Sequence, residues 1–191
     1  MKTYIPTLLA IFSFLLFSCV DDVMEQTVFI PDKDDPNLPA YTEWGYNSFG
    51  AEYDGYYFLV SDGIKPCEIT YSDNQLQFQL HGITRNGNEM ILLFIFPSAP
   101  MSDYMDLVQI HNKEIDLSAN NCSVEIDENT LQQLDGKLHF KRVQLLRIDG
   151  QLERAILSGV FELSFIKNGV PASISNGRFD LGITSSVFYV E

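Results

Sequence analysis

Basic residues are scarce in this chain, which has 12 Lys and Arg against 26 Asp and Glu and a formal net charge of −14. Proteins that bind nucleic acid present a basic patch to the phosphate backbone, and no such patch is visible in the sequence. A nucleic-acid partner is therefore not expected. Because 46% of the residues are hydrophobic and only 20% are charged, the composition indicates a packed globular domain rather than a disordered chain.

Motifs of catalysis and metal binding are also lacking. The sequence contains no His-Glu-x-x-His, no Gly-x-Ser-x-Gly and no glycine-rich phosphate loop. The three histidines, His81, His111 and His139, lie far apart in the sequence, and no cysteine has a second Cys or His at metal-ligand spacing. We therefore expect no metal, no cofactor and no enzymatic activity. One alternative stays open, a hydrolase with two carboxylates that face one cleft.

The N-terminal hydrophobic run, residues 5–17, is too short to cross a membrane, which takes about 20 residues. It follows Lys2 and fits the apolar region of a secretory signal. The residues that close it, Leu16-Phe17-Ser18-Cys19, resemble the lipobox of bacterial lipoproteins, in which cleavage before the cysteine leaves a lipidated N-terminus. The resemblance predicts a signal peptide at residues 1–18 and a membrane anchor at Cys19. A secreted protein without lipid is the alternative.

Residues 19–40 are predicted to form a flexible acidic tether. Three prolines and clustered acidic residues, with no hydrophobic periodicity, are typical of an extended solvated segment. Asp21 and Asp22, close behind Cys19, resemble the surface-export signal of Bacteroidota lipoproteins. That resemblance implies an outer-membrane protein that faces the outside of the cell, with the periplasmic face as the alternative.

Residues 41–191 are predicted to form a single all-β domain. Pairs of Asn or Asp with Gly form type I′ turns between antiparallel strands, and seven such pairs follow residue 41: Asp54-Gly55, Asp62-Gly63, Asn86-Gly87, Asp135-Gly136, Asp149-Gly150, Asn168-Gly169 and Asn176-Gly177. They predict an antiparallel meander of about 8–10 strands, arranged as a two-sheet β-sandwich or a flattened lipocalin-like barrel. Helices are expected to be short, with candidates at residues 102–108 and 129–136.

Two of these turns predict a strand register. A two-residue turn at Asn168-Gly169 pairs Phe165 with Ala172 and Leu163 with Ile174, and a second turn at Asn176-Gly177 pairs Ile174 with Phe179; both keep the apolar residues on one face. A two-residue turn at Asn86-Gly87 pairs Phe78 with Ile95. That register puts three more apolar residues on the opposite face: Leu92, Phe94 and Phe96. In a barrel, these side chains would line the lumen and could contact a small apolar ligand that the barrel carries.

The segment Asn47-Ser48-Phe49-Gly50-Ala51-Glu52-Tyr53-Asp54-Gly55, together with residues 157–163 and 176–180, resembles the small all-β lipoproteins of Bacteroidota. The members of that group are mostly uncharacterised. The resemblance implies the compartment and the fold, and it carries no catalytic residues to this chain.

With Cys19 assigned to the lipid, Cys67 and Cys122 remain. Exported proteins form disulfides, so these two cysteines are a candidate pair. Free cysteine is also among the most buried residue types. The sequence leaves a disulfide and two separate buried thiols as equal alternatives.

Aromatic residues concentrate in residues 41–58, which hold eight of the 24 and the only tryptophan. Exposed Trp and Tyr rings offer flat surfaces on which a sugar or peptide can stack, so four of them form a candidate ligand platform: Trp44, Tyr46, Tyr56 and Tyr57. The rival interpretation is core packing, because aromatics are good strand formers. The sequence thus predicts a non-catalytic binding or assembly module at the outer membrane, with a glycan, a peptide or an envelope protein as its partner.

Overall fold

The computed structural model describes residues 26–191, so the predicted signal peptide and Cys19 lie outside the described residues. The strands are β1 (Ser48–Tyr53), β2 (Tyr56–Leu59), β3 (Cys67–Ser72), β4 (Gln75–Thr84), β5 (Glu89–Pro97), β6 (Lys113–Asp116), β7 (Ser123–Ile126), β8 (Asn129–Thr130), β9 (Gln132–Ile148), β10 (Gln151–Lys167), β11 (Val170–Ile183) and β12 (Phe188–Val190). The predicted all-β fold is confirmed. The strand count exceeds the prediction because pairings as short as β8 and β12 leave little periodicity in the sequence.

The strands are hydrogen-bonded in the order β6-β9-β10-β11-β1-β2-β4-β5-β7-β8, with β3 on the remaining edge of β4 and β12 beside β3. The pairing of β12 with β3 is parallel, which departs from the predicted meander, whereas the other described pairings are antiparallel. The sheet does not close into a barrel. It folds over so that β4 and β5 face β9, β10 and β11, as in a sandwich.

Phenylalanine rings fill the space between the two layers. Phe78 of β4 lies 5.7 Å from Phe140 of β9 and 5.1 Å from Phe179 of β11, measured between ring centroids. Phe94 of β5 lies 5.4 Å from Phe161 of β10. Such ring pairs contribute about 0.5–1.5 kcal/mol each beyond the burial of their surface. The interior is therefore an aromatic core.

The strand β4 passes from one layer to the other at Gly82. Before this residue β4 pairs with β3, and just after it Ile83 pairs with Leu59 of β2. A Cβ atom at Gly82 would lie 2.3 Å from the carbonyl oxygen of Leu59 and 2.6 Å from the ring of Phe49. Glycine is thus required because backbone and ring approach closely where the strand changes partners.

The predicted register of β4 and β5 is wrong by one residue. Phe78 pairs with Phe94 and not with Ile95, because the loop around Asn86-Gly87 is longer than two residues. A one-residue slip exchanges the two faces of a strand. The side chains expected to line a lumen are instead fully buried in the core: Leu92, Phe94 and Phe96.

Three of the Asx-Gly pairs form two-residue turns: Asp54-Gly55, Asp149-Gly150 and Asn168-Gly169. The predicted pairing of Phe165 with Ala172 is confirmed. Asn176-Gly177 is not a turn but lies at a bulge within β11, so Ile174 does not pair with Phe179. Asn176 has a positive φ of 54°, a backbone conformation that occurs in β-bulges as well as in tight turns.

The described helix is a 3₁₀ helix at Tyr104–Ile110, which overlaps the candidate at residues 102–108. The other helix candidate, residues 129–136, is wrong. Those residues form β8 and the start of β9, because pairing with β7 and β10 outweighs a local capping pattern. Among the described residues, no helix combines the length and apolar character needed to span a bilayer.

Residues 28–46, which we call the strap, pack against the domain. Within the strap, the Val28 N–H donates to the Tyr46 carbonyl (2.8 Å) and the Ala40 N–H to the Ile30 carbonyl (2.7 Å), and two of its carboxylates contact the domain, Asp32 at Arg178 and Asp35 at the Tyr57 hydroxyl. Leu38 is fully buried. The prediction of a flexible tether is therefore wrong for residues 28–40, which are fixed by buried Leu38 and by polar contacts with the domain.

Cys67 and Cys122 are free thiols, so the candidate disulfide is not formed. Cys67 lies on β3 and Cys122 just before β7, and the strands β4 and β5 separate them. Three strand spacings amount to about 14 Å, whereas a disulfide needs Cα atoms within about 7 Å. Burial raises the pKa of the Cys67 thiol to about 12, which makes it an unreactive core residue.

Candidate functional site

A buried carboxylate, Asp180 of β11, fixes one loop of the strap. Its side chain is only 1% exposed and accepts hydrogen bonds from the three consecutive backbone N–H groups of residues 44–46, at 2.7 to 3.3 Å. The hydroxyl groups of Thr42 and Ser158 donate to the same carboxylate. N–H groups that converge in this way form an anion-binding nest. Asp180 thus ties residues 42–46, the strap loop, to the outer face of the sheet.

The strap loop lies flat on β10 and β11 because Gly45 lets the backbone come close. Gly45 has a φ of +74°, and a Cβ atom there would lie 3.2 Å from Cγ1 of Ile156. Next to it, the side-chain oxygen of Asn47 accepts a hydrogen bond of 2.8 Å from the Gly182 N–H. With its backbone fixed in this way, the loop projects the side chain of Trp44 into solvent, where it is 70% exposed.

The four residues of the predicted platform do not share one surface. Trp44 and Tyr46 belong to the strap loop, near the start of β1, whereas Tyr56 and Tyr57 follow the turn at the far end of β1, about 17 Å away along the strand. Tyr46 and Tyr57 are half-buried, and the Tyr57 hydroxyl donates to Asp35 of the strap. The exposed ring of Tyr56 lies under Arg85. Of the predicted platform, Trp44 is the ring most open to a ligand.

A hollow of about 410 Å³ lies on the outer face of β6, β9, β10 and β11. Tyr41, which directly precedes the strap loop, is one of its lining residues. The polar side chains that line the hollow come from all four strands: Glu114, Lys137, His139, Lys141, Glu162, Asn176 and Arg178. The strand register brings them together, since Glu114 pairs with His139, His139 with Val160, and Val160 with Arg178 across the sheet.

Ion pairs hold two of the cations in the hollow. Nζ of Lys137 lies 2.8 Å from Glu114, and this hydrogen bond raises the pKa of Lys137 and lowers that of Glu114. Arg178 contacts Asp32 of the strap at 2.7 Å. The pKa of Asp32 is lowered mainly by backbone N–H groups of the strap turn and further by Arg178. The Asp32–Arg178 ion pair thus joins the strap to the hollow.

Tyr41 links the hollow to the strap loop. Its hydroxyl donates to Glu43 (2.9 Å), and Nζ of Lys141 lies 5.0 Å from the centroid of its ring. Burial and the neighbouring Glu43 carboxylate raise the pKa of Tyr41, so the phenol stays neutral. The attraction between the Lys141 ammonium group and the neutral Tyr41 ring stabilises the position of both side chains in the lining of the hollow.

Two carboxylates, Glu114 and Glu162, face the hollow, which is the arrangement that a carboxylate-based hydrolase requires. A general acid also needs a raised pKa, which enzymes obtain by burying the carboxyl group. The pKa of Glu114 is shifted the other way by Lys137. Among the described residues, no three His, Cys, Asp or Glu side chains gather in a manner that could hold a metal ion. Glu114 thus lacks the raised pKa of a general acid.

Most of the hollow escapes prediction from the sequence. His139 stands out there only as a possible metal ligand, and the sequence offers no reason to group it with Arg178. One signal is readable: Lys137, His139 and Lys141 alternate along β9, a spacing that favours one face of a strand. The contact of β11 with the strap, more than 130 residues away in the sequence, has no local signature.

Comparisons with known proteins do not identify the site. No family model matches the chain, and neither does any curated protein or solved structure. The function is therefore argued from the geometry of the strap loop and the hollow.

Proposed function

We propose that this chain is a lipid-anchored, non-catalytic binding module of the cell envelope, whose ligand is a glycan bound between Trp44 and the hollow. The observation that carries the proposal is the 70% exposure of Trp44 on a loop whose backbone is fixed by buried Asp180. A large aromatic side chain left in solvent on a rigid support is typical of a binding surface. Because the loop is already ordered, a ligand loses little free energy in ordering it.

The hollow supplies the polar half of such a site. Sugar hydroxyls both donate and accept hydrogen bonds, and the lining contains donors, such as Lys141 and Arg178, as well as acceptors, such as Glu162 and Asn176. If one pyranose ring stacks on the indole of Trp44, the sugar units linked to that ring would lie towards Tyr41 and these polar groups. In small-ligand sites, aromatic side chains supply much of the contact surface, and a few polar groups fix the orientation of the ligand.

The proposed location rests on the N-terminal sequence. The lipobox-like residues before Cys19 and the acidic residues behind it support an outer-membrane lipoprotein that faces the cell surface. Stable anchoring requires two or more acyl chains, which a lipid-modified cysteine provides. The strap begins at Val28, nine residues after Cys19.

The anchor is tested by expressing the full chain and a Cys19→Ala variant in a bacterium of the implied group. We expect the unaltered protein in the membrane fraction and degradable by protease added to intact cells. We expect the variant to leave the membrane fraction, because it lacks the acylated residue. A Cys19→Ala protein that fractionates with the membrane as before would contradict lipid anchoring.

The glycan site is tested by screening the purified protein on a glycan array and then titrating each hit while recording tryptophan fluorescence. Trp44 is the only tryptophan in the chain, so its emission reports directly on the proposed site. Because Trp44→Ala lacks this reporter, its affinity is measured beside that of the unaltered protein by isothermal titration calorimetry, and we expect it to bind about thirtyfold more weakly, the effect of removing about 2 kcal/mol at a central aromatic contact. Tyr56→Ala, which removes an exposed ring at the far end of β1, serves as the control and should bind normally.

Equal affinities for the unaltered protein and Trp44→Ala would contradict the proposal, and so would an array without hits. A peptide library screened by the same fluorescence signal separates the other ligand class. Peptide binding that depends on Trp44, with no response to glycans, would reassign the site to peptides.

A further inference from the structure

Basic side chains are concentrated around the hollow. It is lined by three of the chain's 12 Lys and Arg residues and one of its three His, but by only two of its 26 Asp and Glu. The chain as a whole carries a charge of −14 and repels anions. The hollow is therefore a local exception, because its lining has three cationic side chains against two anionic ones.

Lys141 is the cation of the hollow that has no carboxylate partner. Lys137 is paired with Glu114, and Arg178 with Asp32. In the described part of the chain, no acidic oxygen lies within ion-pair distance of Lys141. Its ammonium group rests instead on the Tyr41 ring, 5.0 Å from the centroid. A cation–π contact orients the ammonium group without neutralising it, so Lys141 keeps its charge available to a ligand.

The neighbours of Lys141 can assist it. The His139 ring lies in the same hollow, with Nε2 next to Oδ1 of Asn112 (3.2 Å). Arg178 uses its NH1 group on Asp32 and its Nε–H on the Asn176 carbonyl, and a guanidinium has five N–H donors in all. Donors from β9 and β11 therefore face the same space as Lys141.

We infer that the glycan bound by this site carries an anionic group, a carboxylate or a sulfate, which enters the hollow and contacts Lys141. The inference rests on the proposed function and narrows its ligand class to acidic saccharides. In this arrangement one sugar ring stacks on Trp44, and the charged substituent points past Tyr41 to the ammonium group. Charge-assisted hydrogen bonds are about twice as strong as neutral ones, so the anion would supply much of the selectivity.

The test compares three polymers as ligands of the full-length protein: polygalacturonate, dextran sulfate and uncharged dextran. Binding is measured from the fluorescence of Trp44. We expect at least one of the two charged polymers to bind more tightly than dextran, with an affinity that falls as salt is added. The charged polymer that binds better shows whether the recognised group is a carboxylate or a sulfate.

The variant Lys141→Gln is expected to weaken binding of the charged polymer about tenfold, which corresponds to about 1.4 kcal/mol for one charge-assisted contact. Lys167→Gln is the matched control. Its ammonium group also lies beside a tyrosine, where it donates a hydrogen bond to the Tyr53 hydroxyl, but it lies outside the hollow. The control should bind like the unaltered protein, because it loses the same charge at a different place.

Two results would overturn the inference. If dextran binds as tightly as the charged polymers and Lys141→Gln binds normally, the ligand is not selected by charge, and the proposal of a glycan site stands without it. If none of the three polymers changes the emission of Trp44, the anion inference fails. A glycan array without hits would then remove the proposed function as well.

Discussion

Replacing Asp180 with alanine is expected to destabilise the protein by about 2–4 kcal/mol. The substitution leaves three backbone N–H groups and two hydroxyl groups without their acceptor, and each buried donor without a partner costs about 1–3 kcal/mol. The expected loss of unfolding free energy is smaller than the sum of these single costs, because the strap loop can detach from the sheet and its N–H groups can then hydrogen-bond to water. Urea denaturation should show a lower midpoint with an unchanged slope.

The same variant should also lose ligand binding, since Trp44 would no longer sit on an ordered loop. Steady-state anisotropy of the single tryptophan gives a second readout, and we expect it to fall as the loop is released. Asp62→Ala, at an exposed loop position, is the matched control and should change stability by less than about 0.5 kcal/mol. An Asp180→Ala protein with unaltered stability and anisotropy would show that the carboxylate does not fix the loop.

Phe78→Ala is expected to have the largest effect on folding, a loss of about 3–5 kcal/mol. Phe78 is fully buried, and its ring contacts the rings of Phe94, Phe140 and Phe179 on three different strands. Its removal leaves a cavity where the two layers of the sandwich meet, and neighbouring rings cannot fill it without leaving their own contacts. Denaturation followed by far-ultraviolet circular dichroism measures the loss.

Tyr56→Ala is the control for Phe78→Ala, because it also removes an aromatic ring but from an exposed position in contact with Arg85. Its cost should stay below about 1 kcal/mol. Similar losses for the two variants would contradict a core centred on Phe78 and would mean that the two layers are not held together by these rings.

The all-β fold is predictable from the sequence because its signals are local. A two-residue turn such as Asn168-Gly169 fixes the pairing of Phe165 with Ala172 without information from elsewhere in the chain. The prediction fails where a loop departs from two residues, as around Asn86-Gly87, because one extra residue reverses the faces of the following strand. It fails again at Asn176, where a bulge uses the same positive φ as a turn.

The candidate site is less predictable because it depends on the strap. Composition marks residues 28–40 as solvated, yet Leu38 is buried and Asp32 contacts Arg178. Asp180 lies at an outward position of β11, where a polar residue is ordinarily exposed, and it becomes buried only because the strap loop covers it. Contacts between segments so far apart in the sequence need the tertiary structure. The exposed position of Trp44 follows from the same contacts.

Amide NMR spectra of the isotope-labelled protein, titrated with the glycan that binds most tightly on the array, test the proposed site most directly. We predict that the largest shifts cluster on one face of the molecule, in residues 41–46 of the strap, residues 137–141 of β9 and residues 176–178 of β11. Shifts confined to β4 and β5, or to the turn at Asp54-Gly55, would contradict a site built from Trp44, Asp180 and the hollow.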